Sequence, residues 1–297
     1  MRKGSAVDGM LLGTVLLWAL NVTVTKFMFE HGWKPLSYGT IRYFLAIVLF
    51  WVFTWWRERS LRIERADWWL VGLAGLCIFV NQVCFVYAVD LSTASTVALL
   101  LGATPVFMGL IAVALRLERL QGTFWLGAAV TFAGVALIAV AGGTITGSLG
   151  GNLLGIATAF SWAAYSTAIA PLMKRYSPYR ISAVVLAIGW IPLAAIGAHQ
   201  IPHQHVHWGA LMSIAFVYAV VGPLFLTNIL WFTAIDIVGA PRASLFGNLQ
   251  PFFSVFFALI LLSESLHGME IAGGVLIFAG IVLERIWHRP AEAVPRE

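Results

Sequence analysis

A chain of 297 residues in which 60% are apolar and 10% charged cannot clothe a water-soluble surface, which takes about a quarter charged residues. The formal charge of +5 does not signal nucleic acid, because Lys and Arg are scattered through short loops beside acids such as Glu58, Glu64 and Asp67. They read instead as topology signals of an all-α integral membrane protein whose surroundings are the lipid bilayer.

The first apolar run, 8–28, follows Arg2 and Lys3 like a signal peptide. No small-residue cleavage site follows it, and Trp18, Asn21 and Lys26 interrupt it, so it reads as a retained span. Runs at 36–56, 66–88, 93–115 and 122–142 come next, then 151–171, 179–199, 208–235, 240–262 and 268–287. Each is about 20 residues, enough to cross a hydrocarbon core of roughly 30 Å as a helix. These are ten expected transmembrane helices. The Gly-rich join from Ala141 to Gly151 divides them into 1–146 and 147–297. Cys77 and Cys84 share one run and lie too far apart along it, about 10 Å, to bridge each other.

The second half repeats the first. Ala88, Asp90, Leu99, Pro105, Phe107, Glu118 and Gly122 recur 146 places later as Ala234, Asp236, Leu245, Pro251, Phe253, Glu264 and Gly268, and Phe132-Ala133-Gly134 recurs as Phe278-Ala279-Gly280. Trp18 meets Trp162 at a shift of 144. On the expected spans, fifteen Lys and Arg fall on one face of the membrane and three, Lys26, Lys34 and Arg42, on the other, which places both termini in the cytoplasm. Five spans per half make the second copy enter upside down, giving two inverted five-helix repeats around a central cavity, the arrangement that supports alternating access.

Several stretches carry a family likeness: LLWALNVTVTK (16–26), IRYFLA (41–46), YAVDLSTASTVALLLGATPVF (87–107), LERLQG (117–122), FTAIDIVGAPRASLFGNLQPFF (232–253) and LSESLHG (262–268). With them the chain resembles the EamA-type members of the drug/metabolite transporter superfamily, and looks closest to bacterial exporters of aromatic and other neutral amino acids. The resemblance implies ten helices, an inner (cytoplasmic) membrane of bacterial type, and outward carriage of a small metabolite.

Polar groups in hydrocarbon cost free energy unless paired or facing a cavity. Trp18, Asn21 and Thr25 share one face of the first helix, and Ser161, Trp162 and Tyr165 do much the same on its counterpart. Asn81, Gln82 and Phe85 correspond to Thr227, Asn228 and Trp231, while Ser244 and Asn248 stand one turn apart on the ninth span. If these faces converge, Trp18, Asn21, Asn81, Gln82, Phe85, Trp162, Tyr165, Asn228, Trp231, Ser244 and Asn248 line an aromatic-walled, uncharged substrate cavity. The alternative is that they hydrogen-bond helices together. The other tryptophans near span ends, Trp33 among them, read as an interfacial belt.

Pro105 and Pro251 fall inside spans, where the ring frees the carbonyls of Leu101 and Gly247. With Gly102 they form candidate hinges that could offer carbonyls to a substrate ammonium, or else static kinks. Lys26 and Arg42 could steer a carboxylate, but snorkelling to the interface, with Glu30 pairing Lys26, is the simpler expectation. Glu118 and Glu264, at equivalent span ends, brace loops or gates, or are merely solvated.

No Asp or Glu falls in mid-span, which favours facilitated movement or exchange over proton or sodium coupling. His199, His203, His205 and His207 form a loop cluster read as solvated, so no metal or cofactor is expected. HExxH and a buried Asp pair are absent, so an enzyme is not expected. The sequence therefore reads as a facilitative exporter of small neutral, aromatic or large apolar, amino acids. Another metabolite or drug, or a non-transporting receptor, stays open. Nothing in the sequence fixes an oligomeric state, and a monomer is compatible with it.

Overall fold

The computed structural model describes residues 2–116, 122–142, 148–238, 247 and 249–287. Its elements are α1 (Arg2–Glu30), α2 (Pro35–Glu58), α3 (Trp68–Leu91), α4 (Ala94–Leu101), α5 (Thr104–Ala114), α6 (Gly122–Gly142), α7 (Leu149–Met173), α8 (Pro178–Gly197), α9 (Ala210–Val220), α10 (Thr227–Val238), α11 (Gln250–Leu261) and α12 (Gly268–Trp287), with no strand among the described residues. Among the described residues, seven helical stretches are long and apolar enough to cross a membrane: Val7–Glu30, Pro35–Glu58, Arg65–Leu91, Ala94–Ala114, Leu149–Met173, Pro178–His203 and Ala210–Ala234. Shorter apolar helices, Trp125–Gly134, Gln250–Leu261 and Ile271–Gly280, fall within the remaining expected spans.

Helix starts follow local chemistry. The Oγ of Ser148 accepts the Gly151 N–H at 3.0 Å, and the Oγ of Ser177 accepts the Arg180 N–H at 3.2 Å. Both satisfy amides that the first turn leaves without a helical partner. Pro35 and Pro178 open α2 and α8, where a missing N–H costs nothing.

The helices pack as antiparallel pairs drawn from opposite ends of the chain. α2 lies against α8: Trp190 Nε1 donates to the Thr40 carbonyl at 2.9 Å and Trp51 Nε1 to the Ala183 carbonyl at 3.0 Å. α3 lies against α7, α1 against α9 and α10, and α6 against α12. The α6–α12 contact brings backbone onto backbone. A Cβ at Gly134 would stand 2.5 Å from the Gly273 carbonyl, and one at Gly280 would stand 2.5 Å from the Gly127 carbonyl. Only glycine permits that approach at both crossings, the way small residues let membrane helices close on each other.

Three expectations change. Pro105 and Pro251 do not kink continuous helices; each lies in the first turn of a new one, α5 and α11. The α4–α5 break tightens into turns in which Gly102 N–H donates to the Leu99 carbonyl and Ala103 N–H to the Leu100 carbonyl. Leu101 does not offer a free carbonyl, because Thr104 Oγ1 donates to it at 2.7 Å. Trp33 is no belt residue: it is buried, stacked on Phe216 at 5.0 Å and edge-on to Trp208 at 5.7 Å. Finally, α9 and α10 are joined by a π-helical turn, Val221–Leu226, built around Pro223. The carbonyls of Pro223 and Leu224 there are taken up by Thr227 Oγ1 and Asn228 Nδ2.

Candidate functional site

Between these pairs lies a cavity of about 110 Å³, walled by α1, α2, α3, α7, α8 and the π-helical turn, with the α4–α5 break (Leu101, Thr104) and the first residue of α11 (Gln250) at its edge. It is small beside the roughly 300–1,000 Å³ of drug-sized sites.

One wall is aromatic. The Trp18 and Trp162 rings meet edge to face at 5.7 Å, Trp231 tilts onto Trp18 at 5.0 Å, and Tyr165 lies 5.4 Å from Trp162. Such arrangements satisfy the ring quadrupoles while leaving faces for a ligand. Trp18 is fixed by its Nε1, which donates to Thr227 Oγ1 at 2.9 Å.

The other wall is polar, and its centre is Arg42. The sequence reading sent this side chain to the interface; it is instead 1% exposed. Its position, seven residues into α2, is about 10 Å along the helix from Pro35, and the side chain folds inward to hydrogen-bonding partners rather than outward to water. Arg42 Nη1 donates to Asn21 Oδ1 at 3.0 Å and to the Tyr38 hydroxyl at 3.3 Å, and Nη2 donates to Gln82 Oε1 at 3.2 Å. Its Cζ lies 4.9 Å from the Tyr38 ring and 5.7 Å from the Tyr43 ring, close enough for cation–π attraction. Gln82 Nε2 donates to Asn81 Oδ1 at 3.0 Å, and Asn81 Nδ2 donates to the Thr158 carbonyl on α7 at 2.9 Å.

Of the residues expected at a substrate site, Trp18, Asn21, Asn81, Gln82, Phe85, Trp162, Tyr165 and Asn228 all border this cavity. Trp231 stands behind Trp18 and packs near Gly247. Ser244 and Asn248 lie outside the described residues, as does Glu118. Of the hinge positions, Leu101 borders the cavity, while Gly102 abuts Pro251, whose Cγ would lie 3.2 Å from a Cβ added there. The sequence reading weighed Arg42 as a carboxylate-steering group but favoured the interface for it, and it missed Tyr43, Thr104, Thr158 and Gln250. A signal for Arg42 was present: Asn21 and Gln82 are intramembrane amides able to accept from a guanidinium.

Lys26 does not pair with Glu30; its Nζ donates to the carbonyls of Val89 (3.2 Å) and Ser92 (2.9 Å), at the C-terminal end of α3, where the helix dipole favours a cation. Glu264 has a defined role: its carboxylate accepts from the N–H groups of Ala94 (2.9 Å) and Ser95 (3.0 Å) and from Ser95 Oγ (2.6 Å), capping α4 from the far half of the chain. The histidine loop is docked through glutamines. Gln200 Oε1 accepts the Leu36 N–H at 2.9 Å and Gln204 Oε1 accepts the Ser37 hydroxyl at 2.7 Å. Among the described residues no group of three or more His, Cys, Asp or Glu could hold a metal ion, and Cys77 and Cys84 are free thiols.

The sequence matches the profile of the EamA-like transporter family twice, over residues 6–140 and 149–284. A transporter of Archaeoglobus fulgidus without an assigned substrate is 24% identical over 281 residues, covering 91% of this chain and 94% of its own. A protein of Salmonella typhimurium named as a probable amino-acid metabolite efflux pump is 26% identical over 293 residues, covering 94% and 95%. A crystal structure with 19% identity overlays 97% of this chain on 99% of its own with a TM-score of 0.66, which establishes a shared fold. The two profile matches together span most of the sequence, and with the apolar helices around a polar-lined cavity they identify the chain as a membrane transporter belonging to the EamA-like family.

Proposed function

We propose that the protein exports small neutral amino acids with aromatic or large apolar side chains, by alternating access between two inverted five-helix repeats, 1–146 and 147–297, with both termini in the cytoplasm of a bacterial-type inner membrane. The observation that carries this reading is the aromatic wall of Trp18 and Trp162, backed by Trp231, beside a cavity whose other wall carries amides, hydroxyls and the Arg42 guanidinium. It offers an apolar side chain a surface and a polar head group a set of hydrogen bonds. The Salmonella relative named for amino-acid metabolite efflux points the same way.

Ten helices in two inverted copies account for pairings that otherwise look arbitrary. Under the 146-residue shift Gly134 becomes Gly280 and Gly127 becomes Gly273, and the observed contacts are Gly134 with Gly273 and Gly280 with Gly127. Trp18 and Trp162, equivalent at a shift of 144, touch each other, as residues beside a two-fold axis must. The α3 residue Asn81 reaches across to α7, and its counterpart Thr227 reaches across to α1.

Efflux from liposomes carrying the purified protein and preloaded with labelled phenylalanine, tryptophan, threonine or glutamate tests the proposal. Efflux of the neutral amino acids that ignores an imposed pH gradient is the expected result. Efflux that stops without the gradient would end the facilitative reading, and none of any amino acid would end the substrate assignment.

A further inference from the structure

The cavity holds a cation that its own walls do not neutralise. Arg42 is 1% exposed and, among the described residues, has no ion-pair partner and shares the cavity with no Asp or Glu. The three atoms that accept its hydrogen bonds, on Asn21, Tyr38 and Gln82, are formally neutral. A buried charge compensated only by neutral dipoles keeps much of its desolvation cost.

Its hydrogen bonding is also incomplete. A guanidinium has five N–H donors; Nη1 makes two hydrogen bonds and Nη2 one, while the buried Nε has no partner. Nε and Nη2 are adjacent on one edge of the guanidinium, and together they form the fork that takes a carboxylate through two parallel hydrogen bonds. A second unspent donor belongs to the same cavity: the buried hydroxyl of Tyr165 has no partner. Asn21, Tyr38 and Gln82 fix the guanidinium from α1, α2 and α3, so the edge that carries the unpartnered Nε is held in place before a ligand arrives.

We infer that Arg42 is the carboxylate-binding residue of the transport cavity, so that every good substrate carries a carboxylate and the ammonium of an amino acid is a secondary determinant. This rests on the cavity being the transport site, as proposed above, but not on the cargo being an amino acid. The aromatic wall takes the side chain, and the fork of Arg42 takes the acid. Lysine cannot reproduce the fork, since its ammonium is a point charge.

The test compares three probes of the same ring system on the purified full-length protein by calorimetry: phenylalanine, 3-phenylpropionate (carboxylate without ammonium) and phenethylamine (ammonium without carboxylate). Phenylalanine and 3-phenylpropionate are expected to bind and to compete with each other, and phenethylamine to bind roughly tenfold to a hundredfold more weakly, as loss of a charged hydrogen-bonding partner implies. In Arg42→Gln the carboxylates should weaken by the same factor while phenethylamine does not, and Arg42→Lys should recover part of the loss. A role confined to bracing α1, α2 and α3 would weaken all three probes alike. Should Arg42→Gln not fold, the probe ranking on the native protein decides alone.

Phenethylamine binding as tightly as 3-phenylpropionate, or none of the carboxylates binding, overturns the inference. If 3-phenylpropionate binds through Arg42 but phenylalanine is neither bound nor moved, the amino-acid reading falls and the carboxylate site stands. If phenylalanine is moved equally well by the native and Arg42→Gln proteins, the reverse holds.

Discussion

The second helices of the two halves, α2 and α8, do the same mechanical work and opposite chemical work. They pack against each other through matched tryptophan-to-carbonyl bonds, yet α2 brings Arg42 and Tyr43 to the cavity while α8 brings Leu186. The third helices diverge as well: α3 is continuous, whereas its counterpart is interrupted by the π-helical turn at Val221–Leu226. The repeat supplies a scaffold twice, along with the Trp18–Trp162 pair, and the cavity acquires its polar chemistry where the copies depart from each other. Duplicated positions other than that pair should therefore govern folding and rigid-body motion, and unduplicated ones should govern which polar group is recognised.

Breaking the shared scaffold should cost most. Gly134→Leu and Gly280→Leu each force a side chain into backbone atoms of the opposite helix, an overpacking worth about 1–3 kcal/mol or more. Both should lower the yield of monodisperse protein by similar amounts on size-exclusion chromatography. Unequal losses would show that the two crossings are not equivalent.

At the unduplicated position, Arg42→Leu should abolish flux of carboxylate substrates without the loss of yield seen for the glycines, whereas Leu186→Met should leave flux within about twofold of native, as a volume-conserving swap does. Equal effects from the two would end the argument from asymmetry. A smaller effect is expected at the aromatic wall. Trp162→Ala removes a ring contact worth about 0.5–1.5 kcal/mol beyond its burial, so substrate KM in liposome efflux should rise several-fold to tenfold, and Trp18→Ala should do the same if the wall is shared evenly.

The smallest change belongs to the helix cap. Glu264→Gln keeps the geometry around Ala94 and Ser95 but removes the charge at the start of α4, where a carboxylate is worth about 0.3–1 kcal/mol. A thermal melt lowered by a few degrees, with KM unchanged, is the expected result. A changed KM would place this cap among the moving parts.

The sequence made the scaffold legible because its devices recur. Gly127, Gly134, Pro105 and Glu118 have copies, and apolar run length reports on membrane crossing directly. The polar residues of the cavity were legible for another reason: Asn and Gln in hydrocarbon need partners, so Asn21, Asn81 and Gln82 drew attention one by one. Arg42 escaped because its long side chain can reach either water or the interior from the same Cα, and the choice depends on which neighbours fold over it. The proline breaks were flagged but misread. Whether a ring bends a helix or starts a new one depends on whether the preceding residues can close tight turns, as Gly102 and Ala103 do. The π-helical turn left no trace in the hydropathy of 208–235, since one extra residue per turn does not alter apolarity.

The polar links that hold the molecule run mostly between halves: Trp18 to Thr227, Asn81 to Thr158, Ser92 to Asn152, Ser95 to Glu264 and Arg175 to Asp67. During synthesis the first half must therefore wait in the bilayer with these groups unsatisfied until a partner of more than a hundred residues has emerged and inserted. A chain of such high contact order assembles slowly and is exposed meanwhile. Its abundance in a cell should then depend on how well the insertion machinery shelters a half-made protein as much as on the stability of the finished one.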